Sequence, residues 1–491
     1  MRTIPLSIAV ISALASVPAA HAWGAAGHQI VATIAQIHLP KPVLSLVCDI
    51  LHPSLNLSAS SSSLEDAYPP CHLASIASWA DEIRMRPEYR YTAPMHYVNA
   101  VDDAPPHSCP FPGTHGWQGR PTANILAALG NVTGVLREFA QGGRSVGDAE
   151  EALKFLVHWM GDMHQPLHMS GREKGGNGVR VAWNGRVTNL HSVWDGLLIA
   201  QGVRLTPRNY SYPLPGDEGA LVEPHLRGAI YDPYIRRIMH EGLAIGGRFD
   251  AESDAWLDCP EPAPSSQPAA QTTQEPGPPS ALSSALNLLG LSSLPFSPIS
   301  SLTSSPRIQA LLALDLPAAL GLTTRPGAEA GWDDARVCPY AWARPIHALN
   351  CDADLPVWPH GLDGPGEHDA VELEGWKEVP YDVVDFVDVG ILESVGERGE
   401  VEGEGKGGRT EGGRPRHPEL LELDTPAYAG RIARRWVVER LLAMAGVRLA
   451  GVLTDIFADV AGEADGYVRV WGMSGCDGFE PEILDSTVSG I

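Results

Sequence analysis

Apolar residues recur three and four positions apart along much of this chain, the spacing of a helix with one buried face. The pattern predicts helices over residues 28–37, 73–84, 123–140, 149–163, 190–200, 234–257 and 426–458. The run 149–163 opens on acidic residues, Asp148, Glu150 and Glu151, which offset the positive end of a helix dipole. Pro166 should bend or end that helix. Pro426 stands at a first helical position, where its missing N–H costs nothing. After residue 22 no run reaches the roughly 18 apolar residues of a membrane-spanning helix, so the mature chain is expected to be soluble. The fold class expected is all-α, a single mainly helical domain over residues 23–460.

Two stretches break the helical pattern. Residues 260–306 are rich in Pro, Ser, Ala, Gln and Thr, and residues 361–416 are acidic and Gly-rich; both read as long low-complexity, disordered insertions. Residues 461–491 form a C-terminal extension with no assigned role. The 491 residues therefore imply one interrupted domain rather than three.

The first 22 residues read as a secretory signal peptide. Arg2 supplies the positive end, an apolar stretch runs from Ile4 to Val17, and Ala20-His21-Ala22 is a small-residue cleavage site. Cleavage there frees the amine of Trp23, whose pKa of roughly 7.7–8.0 lets it deprotonate and bind a metal near neutral pH. Seven cysteines in a secreted chain imply disulfides with one left over. Asn56, Asn131 and Asn209 each head an Asn-X-Ser/Thr acceptor for N-glycosylation.

Metal-ligand residue types are arrayed in order along the chain. His158 and Asp162 are four apart, as are His191 and Asp195, so each pair shares a helical face. His168 follows Pro166 and can approach the first pair from beyond the helix end. Asp81 and His96 make a further couple, and His28 follows the freed Trp23. One such pair is usually a surface or core ion pair; two pairs, a third couple and a terminal amine point to zinc. His164 points about 200° around the helix from Asp162 and is read as a non-ligand. The remaining histidines are read as surface or hydrogen-bonded.

The segments Trp23-Gly-x-x-Gly-His28, Trp79-Ala-Asp81-x-Ile-Arg84, His96-Tyr-Val, His158-x-x-x-Asp162-x-x-Gln-Pro-Leu-His168, Gly175-Gly-Asn177 and Asn189-Leu-His191-Ser-x-Trp-Asp195 together resemble the secreted zinc-dependent single-strand-specific nucleases of fungi and plants. That family shares a fold with zinc phospholipase C. The resemblance runs from residue 23 to about 200, then resumes over 342–351 and 421–459. It implies three zinc ions per chain. Asp81, His96, His158 and Asp162 would hold the first, and His168, His191 and Asp195 the second. The Trp23 amine and carbonyl, His28 and Asp162 would hold the third, so that Asp162 bridges two metals. It implies an endonuclease that cuts single-stranded DNA and RNA to 5′-phosphate products and removes phosphate from 3′-mononucleotides, acting as a secreted monomer. Asp81, Arg84 and Asp162 would be catalytic, with Arg84 beside the phosphate. Tyr97 would stack a base, Asn99 stands where the family usually carries a base-binding Asp, and Asn177 would line the substrate site. Lys174 is either a phosphate contact or a solvated loop lysine.

The resemblance also implies a Cys109–Cys351 disulfide. Cys48–Cys71 and Cys259–Cys338 are the readings for the other bridges, with Cys476 left unpaired; the sequence alone does not fix this connectivity.

Two close metals can share a water and lower its pKa from 15.7 toward about 7, which makes hydroxide at mild pH. They also meet an electrostatic objection. The formal net charge is −24, unfavourable for a nucleic-acid partner. Three zinc ions against three Asp ligands would leave the site at about +3, and residues 361–413 alone carry −11. A zinc phospholipase C is the enzymatic alternative, which Arg84, Tyr97 and Asp195 argue against, since the phospholipases carry Glu at the last position. An inactive secreted zinc-binding protein is the non-enzymatic one. Activity on phosphatidylcholine without activity on single-stranded DNA would favour the first; full zinc without either activity would favour the second.

Overall fold

The computed structural model describes residues 23–55, 71–112, 115–120, 122–259, 333–355, 357–359, 362 and 420–461. All of them belong to one compact unit; a second unit, 261–331, lies outside the described residues, as do the signal segment, Asn56, Cys476 and nearly all of both expected insertions.

The unit is mainly helical, as expected, with α1 (Ala25–His38), α2 (Lys41–Leu51), α3 (Trp79–Ile83), α4 (Ile125–Ala140) and α5 (Val146–Met163) leading to a long C-terminal helix, Val437–Ala461. Local chemistry fixes the starts of the two helices that frame the site. The Asn124 side chain accepts from the amides of Leu126 and Ala127 at 3.0 and 3.1 Å, capping α4. Ser145 and Asp148 form a reciprocal capping box on α5. From Leu153 onward nearly every residue of α5 is buried, because α4 and the C-terminal helix pack against it. The C-terminal helix also lies along α1 and is buried over most of its length. By length and composition it is apolar enough to cross a membrane, which the sequence reading had not allowed for; here it is the central core helix.

Three expected helices are broken, each for a visible reason. The run 73–84 splits into a short turn, Leu73–Ser75, and α3. The break turns the Ala77 carbonyl onto His158 Nδ1 at 2.7 Å, where a continuous helix would have given it to the Asp81 amide. The run 234–257 divides around Gly246 and Gly247, into Asp232–Arg237, a π turn Ile238–Leu243, and Asp250–Ser253 continued by Asp254–Leu257. The run 426–458 divides at Trp436, whose positive φ of 55° ends Ala429–Arg434. The Trp436 ring lies 4.4 Å from the Arg237 guanidinium and 4.8 Å from that of Arg248.

Several elements went unforeseen besides α2, among them Pro87–His96 and Gly216–Val222. Helix Pro339–Ala348 returns the chain after residue 332 and ends beside the site, where Asn350 donates to the Pro166 carbonyl at 2.7 Å. A small hairpin pairs β1 (Arg180–Trp183) with β2 (Arg186–Asn189) antiparallel, Val181 opposite Thr188. Its turn is Asn184-Gly185, both at positive φ, the Asn-Gly turn that matches strand twist. The chain returning after residue 419 adds a parallel bridge from Glu422 to Ala182.

All three disulfides form as read: Cys48–Cys71, Cys109–Cys351 and Cys259–Cys338. The last joins the two ends of the described chain on either side of residues 260–332. The second spans 242 residues and ties the loop after His96 to the helix that follows 332.

Candidate metal centre

Asp162 sits at the centre of the site, on the last turn of α5 and fully buried. Its two oxygens face different neighbours. Oδ1 lies 3.2 Å from His28 Nε2, on α1. Oδ2 lies 2.8 Å from His96 Nδ1 and 3.3 Å from His158 Nε2. Asp81, on α3, brings Oδ1 to 3.6 Å from both His96 Nδ1 and His158 Nε2. The imidazoles of His28 and His158 stack at 3.8 Å between centroids. Gly161 makes this approach possible, because a Cβ there would stand 2.6 Å from His28 Nδ1.

His168, His191 and Asp195 form an adjoining buried group. His168 Nε2 and His191 Nε2 face each other at 3.2 Å, and Asp195 Oδ2 is 3.0 Å from the latter. His191 and Asp195 keep their four-residue spacing across a π turn, Val193–Leu197, a helix irregularity that recurs at functional sites.

The donor set fits zinc on three counts. Each of His158, His168 and His191 gives its Nδ1 to a main-chain carbonyl, those of Ala77, His96 and Gly175, all at 2.7 Å. Their Nε2 atoms are then bare lone pairs in the neutral ring, and the two that face each other at 3.2 Å are placed to share a cation. Second, His28 Nδ1 and Nε2, His158 Nε2 and Asp162 Oδ1 are buried without a hydrogen bond, although polar atoms lie within 3.3 Å of the last three. Third, two ligands of a tetrahedral zinc at about 2.0–2.1 Å stand about 3.3 Å apart. The separations of 2.8 to 3.6 Å around the two groups bracket that edge.

The histidines differ in proton affinity. Burial opposes charge on His158, but Asp162 and Asp81 outweigh it and raise the pKa to about 9. Burial holds His168 down at about 4, already neutral for ligation. Burial, joined by the charge of His158 and opposed by the carboxylate of Asp162, lowers His28. Zinc needs neutral imidazole, so it must expel the proton that His158 keeps between its ordinary 6.5 and about 9. Zinc added to chelator-treated protein at pH 7 is therefore expected to release at least one proton. Its apparent affinity should rise about tenfold per pH unit toward pH 9 and then level. Calorimetry in buffers of different ionisation enthalpy reads this directly, and zinc uptake without proton release would refute it.

The other sequence candidates fall as follows. Trp23 is fully buried, and the next residue, Gly24, donates to the Asp195 carbonyl at 2.7 Å, which ties the start of the described chain to the second group. Arg84 Nη2 pairs with Asp81 Oδ1 at 3.2 Å. Tyr97, next to His96, is 42% exposed and so is not a core aromatic. The Asn99 amide nitrogen faces the Val98 and Ser170 carbonyls, donating at 3.0 Å to each. Lys174 is exposed, and Asn177 donates to its carbonyl at 2.9 Å. His164 stays apart: its Nδ1 meets the Met160 carbonyl and its Nε2 accepts from Arg448 at 2.9 Å.

Sequence reasoning missed two supports. Gln165 donates to Asp195 Oδ1 at 2.5 Å and accepts from the Leu167 amide, holding a candidate ligand and the turn to His168 together. Gly175 supplies the carbonyl that orients His191, from a run of four positive-φ residues, 173–176. A Cβ at Gly175 would meet the Leu167 carbonyl at 2.6 Å. A further buried pair, His347 with Asp103 at 3.1 Å, lies beside Cys109, whose sulfur is committed to its disulfide.

Residues 23–216, which hold every candidate ligand, match the family model for S1/P1 nuclease. Endonuclease 5 of Arabidopsis thaliana is 30% identical over 219 residues, covering 43% of this chain and 67% of that protein. The chain belongs to the S1/P1 nuclease family. Nuclease S1 of Aspergillus oryzae is 36% identical over 195 residues, 40% of this chain and 59% of its own. Nuclease P1 of Penicillium citrinum is 37% identical over 178 residues, 35% and 57% respectively. The chain thus spans about three fifths of the length of these two nucleases. The S1/P1 match ends before helix Pro339–Ala348 and the C-terminal helix, which nonetheless pack against the matched part.

Proposed function

We propose that the chain is a secreted zinc-dependent endonuclease that hydrolyses phosphodiester bonds of single-stranded DNA and RNA to 5′-phosphate products, and that it also acts on 3′-mononucleotides. The observation that carries this reading is the split of Asp162, one oxygen toward His28 and the other toward His96 and His158. A carboxylate so placed serves two cations at once. Asp81, His96, His158 and Asp162 would hold one zinc, His168, His191 and Asp195 another, and the Trp23 amine and carbonyl with His28 and Asp162 a third. When bound, the metals supply positive charge that acidifies water and steadies the oxygens of a phosphodiester.

The chain's own groups do the rest. Arg84, held by Asp81, would lend its guanidinium to the phosphate. Tyr97 would stack an unpaired base on its exposed ring, which a base inside a duplex cannot reach. The Asn99 nitrogen is engaged by main-chain carbonyls, which leaves its oxygen as the acceptor for a base and shifts preference from that of a carboxylate. Secretion is supported by three disulfides, which persist in oxidising compartments, and by the exposure of Asn131 and Asn209.

Tyr97→Ala tests the substrate class. Loss of one stacked base, worth roughly 1–3 kcal/mol, should lower kcat/KM on single-stranded oligonucleotides by about 5- to 150-fold. Zinc content should not change. Unaltered kinetics on single strands would remove Tyr97 from the substrate site.

A further inference from the structure

A groove outside the metal centre opens between α4, α5 and the segment Pro87–His96, with a cavity of about 170 Å³. Its floor is aromatic and apolar, formed by Phe155, Trp159 and Val135, and Tyr91 stands over it, 59% exposed. Asn131, the exposed acceptor of Asn131-Val-Thr on α4, lines the same groove. We infer that the groove seats the first sugar of an N-linked glycan on Asn131, with the apolar face of the pyranose against Tyr91; this rests on the proposed passage through the secretory pathway.

The chemistry selects a neutral, hydroxyl-rich ligand. The charged side chains at the rim are already engaged. Arg144 pairs with Glu138 at 2.6 Å, Asp148 accepts from Ser145 at 2.9 Å, and Glu151 accepts from Tyr89 at 2.6 Å. No rim cation is left to draw an anionic ligand among these, while the carboxylates can still accept from hydroxyls. At about 30 Å³ per water-sized group, the cavity admits about six of them, the scale of one pyranose ring. The tether removes most of the association cost, so weak stacking on an exposed ring is enough to hold the sugar. Beside it on α4, Gly134 has nothing within 4 Å of where a Cβ would lie, so no protein contact crowds that face. Asn209, the other described acceptor, does not line this groove.

The test uses the full secreted chain from a eukaryotic host, trimmed enzymatically to one sugar per site and checked by mass spectrometry. Trimmed and untrimmed protein are expected to melt together. Asn131→Gln should lower the melting temperature by roughly 2 °C or more, and Asn209→Gln should not. Tyr91→Ala should produce a drop in the trimmed protein that is absent in the Asn131→Gln background. Equal effects of Tyr91→Ala in both backgrounds would overturn the inference, as would an Asn131→Gln protein as stable as the trimmed one. A secreted protein bare at Asn131 overturns it while leaving the nuclease reading intact; an unprocessed, unglycosylated chain counts against secretion as well.

Discussion

Asn in place of Asp162 is expected to abolish hydrolysis, by on the order of 10³-fold or more in kcat/KM, about 4 kcal/mol of lost transition-state stabilisation. The reason lies in the two faces of one carboxylate. Oδ1 faces His28 and Oδ2 faces His96 and His158, so one side chain touches both sides of the centre. An amide keeps the shape but gives up the charge and one acceptor. Zinc content should fall by more than one equivalent, whereas His191→Ala should affect chiefly the group of His168 and Asp195. Near-normal turnover at full zinc occupancy would show that Asp162 bridges nothing. Stability provides a second readout. Burial opposes ionisation of Asp162, but His158, His28 and His96 hold it well below the usual carboxylate range. Its contribution is present above the ordinary carboxylate pKa and is lost as pH falls through the lowered one. The variant should therefore lose stability at neutral pH and differ less from the parent in strong acid.

Keeping even one residue ahead of Trp23 should be nearly as damaging, by about 10²–10³-fold, the usual cost of one removed electrostatic stabiliser. A peptide nitrogen has no lone pair to offer a metal, while a terminal amine does. Trp23 has no room to shift, since it is fully buried and its Cβ is 2.8 Å from where Gly27 would carry one. The Gly24 amide is fixed on the Asp195 carbonyl. Mature protein beginning at Trp23 should be compared with a form still beginning at Ala22, on the same zinc-loaded preparation. Equal activity would take the terminal amine out of the ligand set.

Much of the centre was legible because helical spacing does the placing. His158 and Asp162, and His191 and Asp195, are brought together by one turn of local structure, and the structure closes both pairs at 3.3 and 3.0 Å. His28, Asp81 and His96 come from separate elements, and periodicity alone gave no means of joining them; their meeting depends on α1 and α3 packing against α5. The orienting carbonyls of Ala77, His96 and Gly175 belong to the main chain, which carries no residue signature. The break that frees Ala77 was read as continuous helix, since Leu73 to Arg84 contains no proline or glycine to announce it. The Asn184-Gly185 hairpin did carry its signal and was passed over beside a helical pattern. The pairing of cysteines over 79 and 242 residues depends on tertiary closure, and the family resemblance supplied the longer of the two.

The proposed function requires these buried His and Asp groups to hold zinc and cut single strands. Zinc content and hydrolysis of single-stranded DNA, measured on one secreted and N-terminally sequenced preparation, test it most directly. A Trp23 start, three zinc ions per chain and chelator-sensitive release of 5′-phosphate products are expected, with duplex DNA cut far more slowly. Little zinc despite a Trp23 start would contradict the ligand assignment, and full zinc without cleavage of single strands would contradict the nuclease.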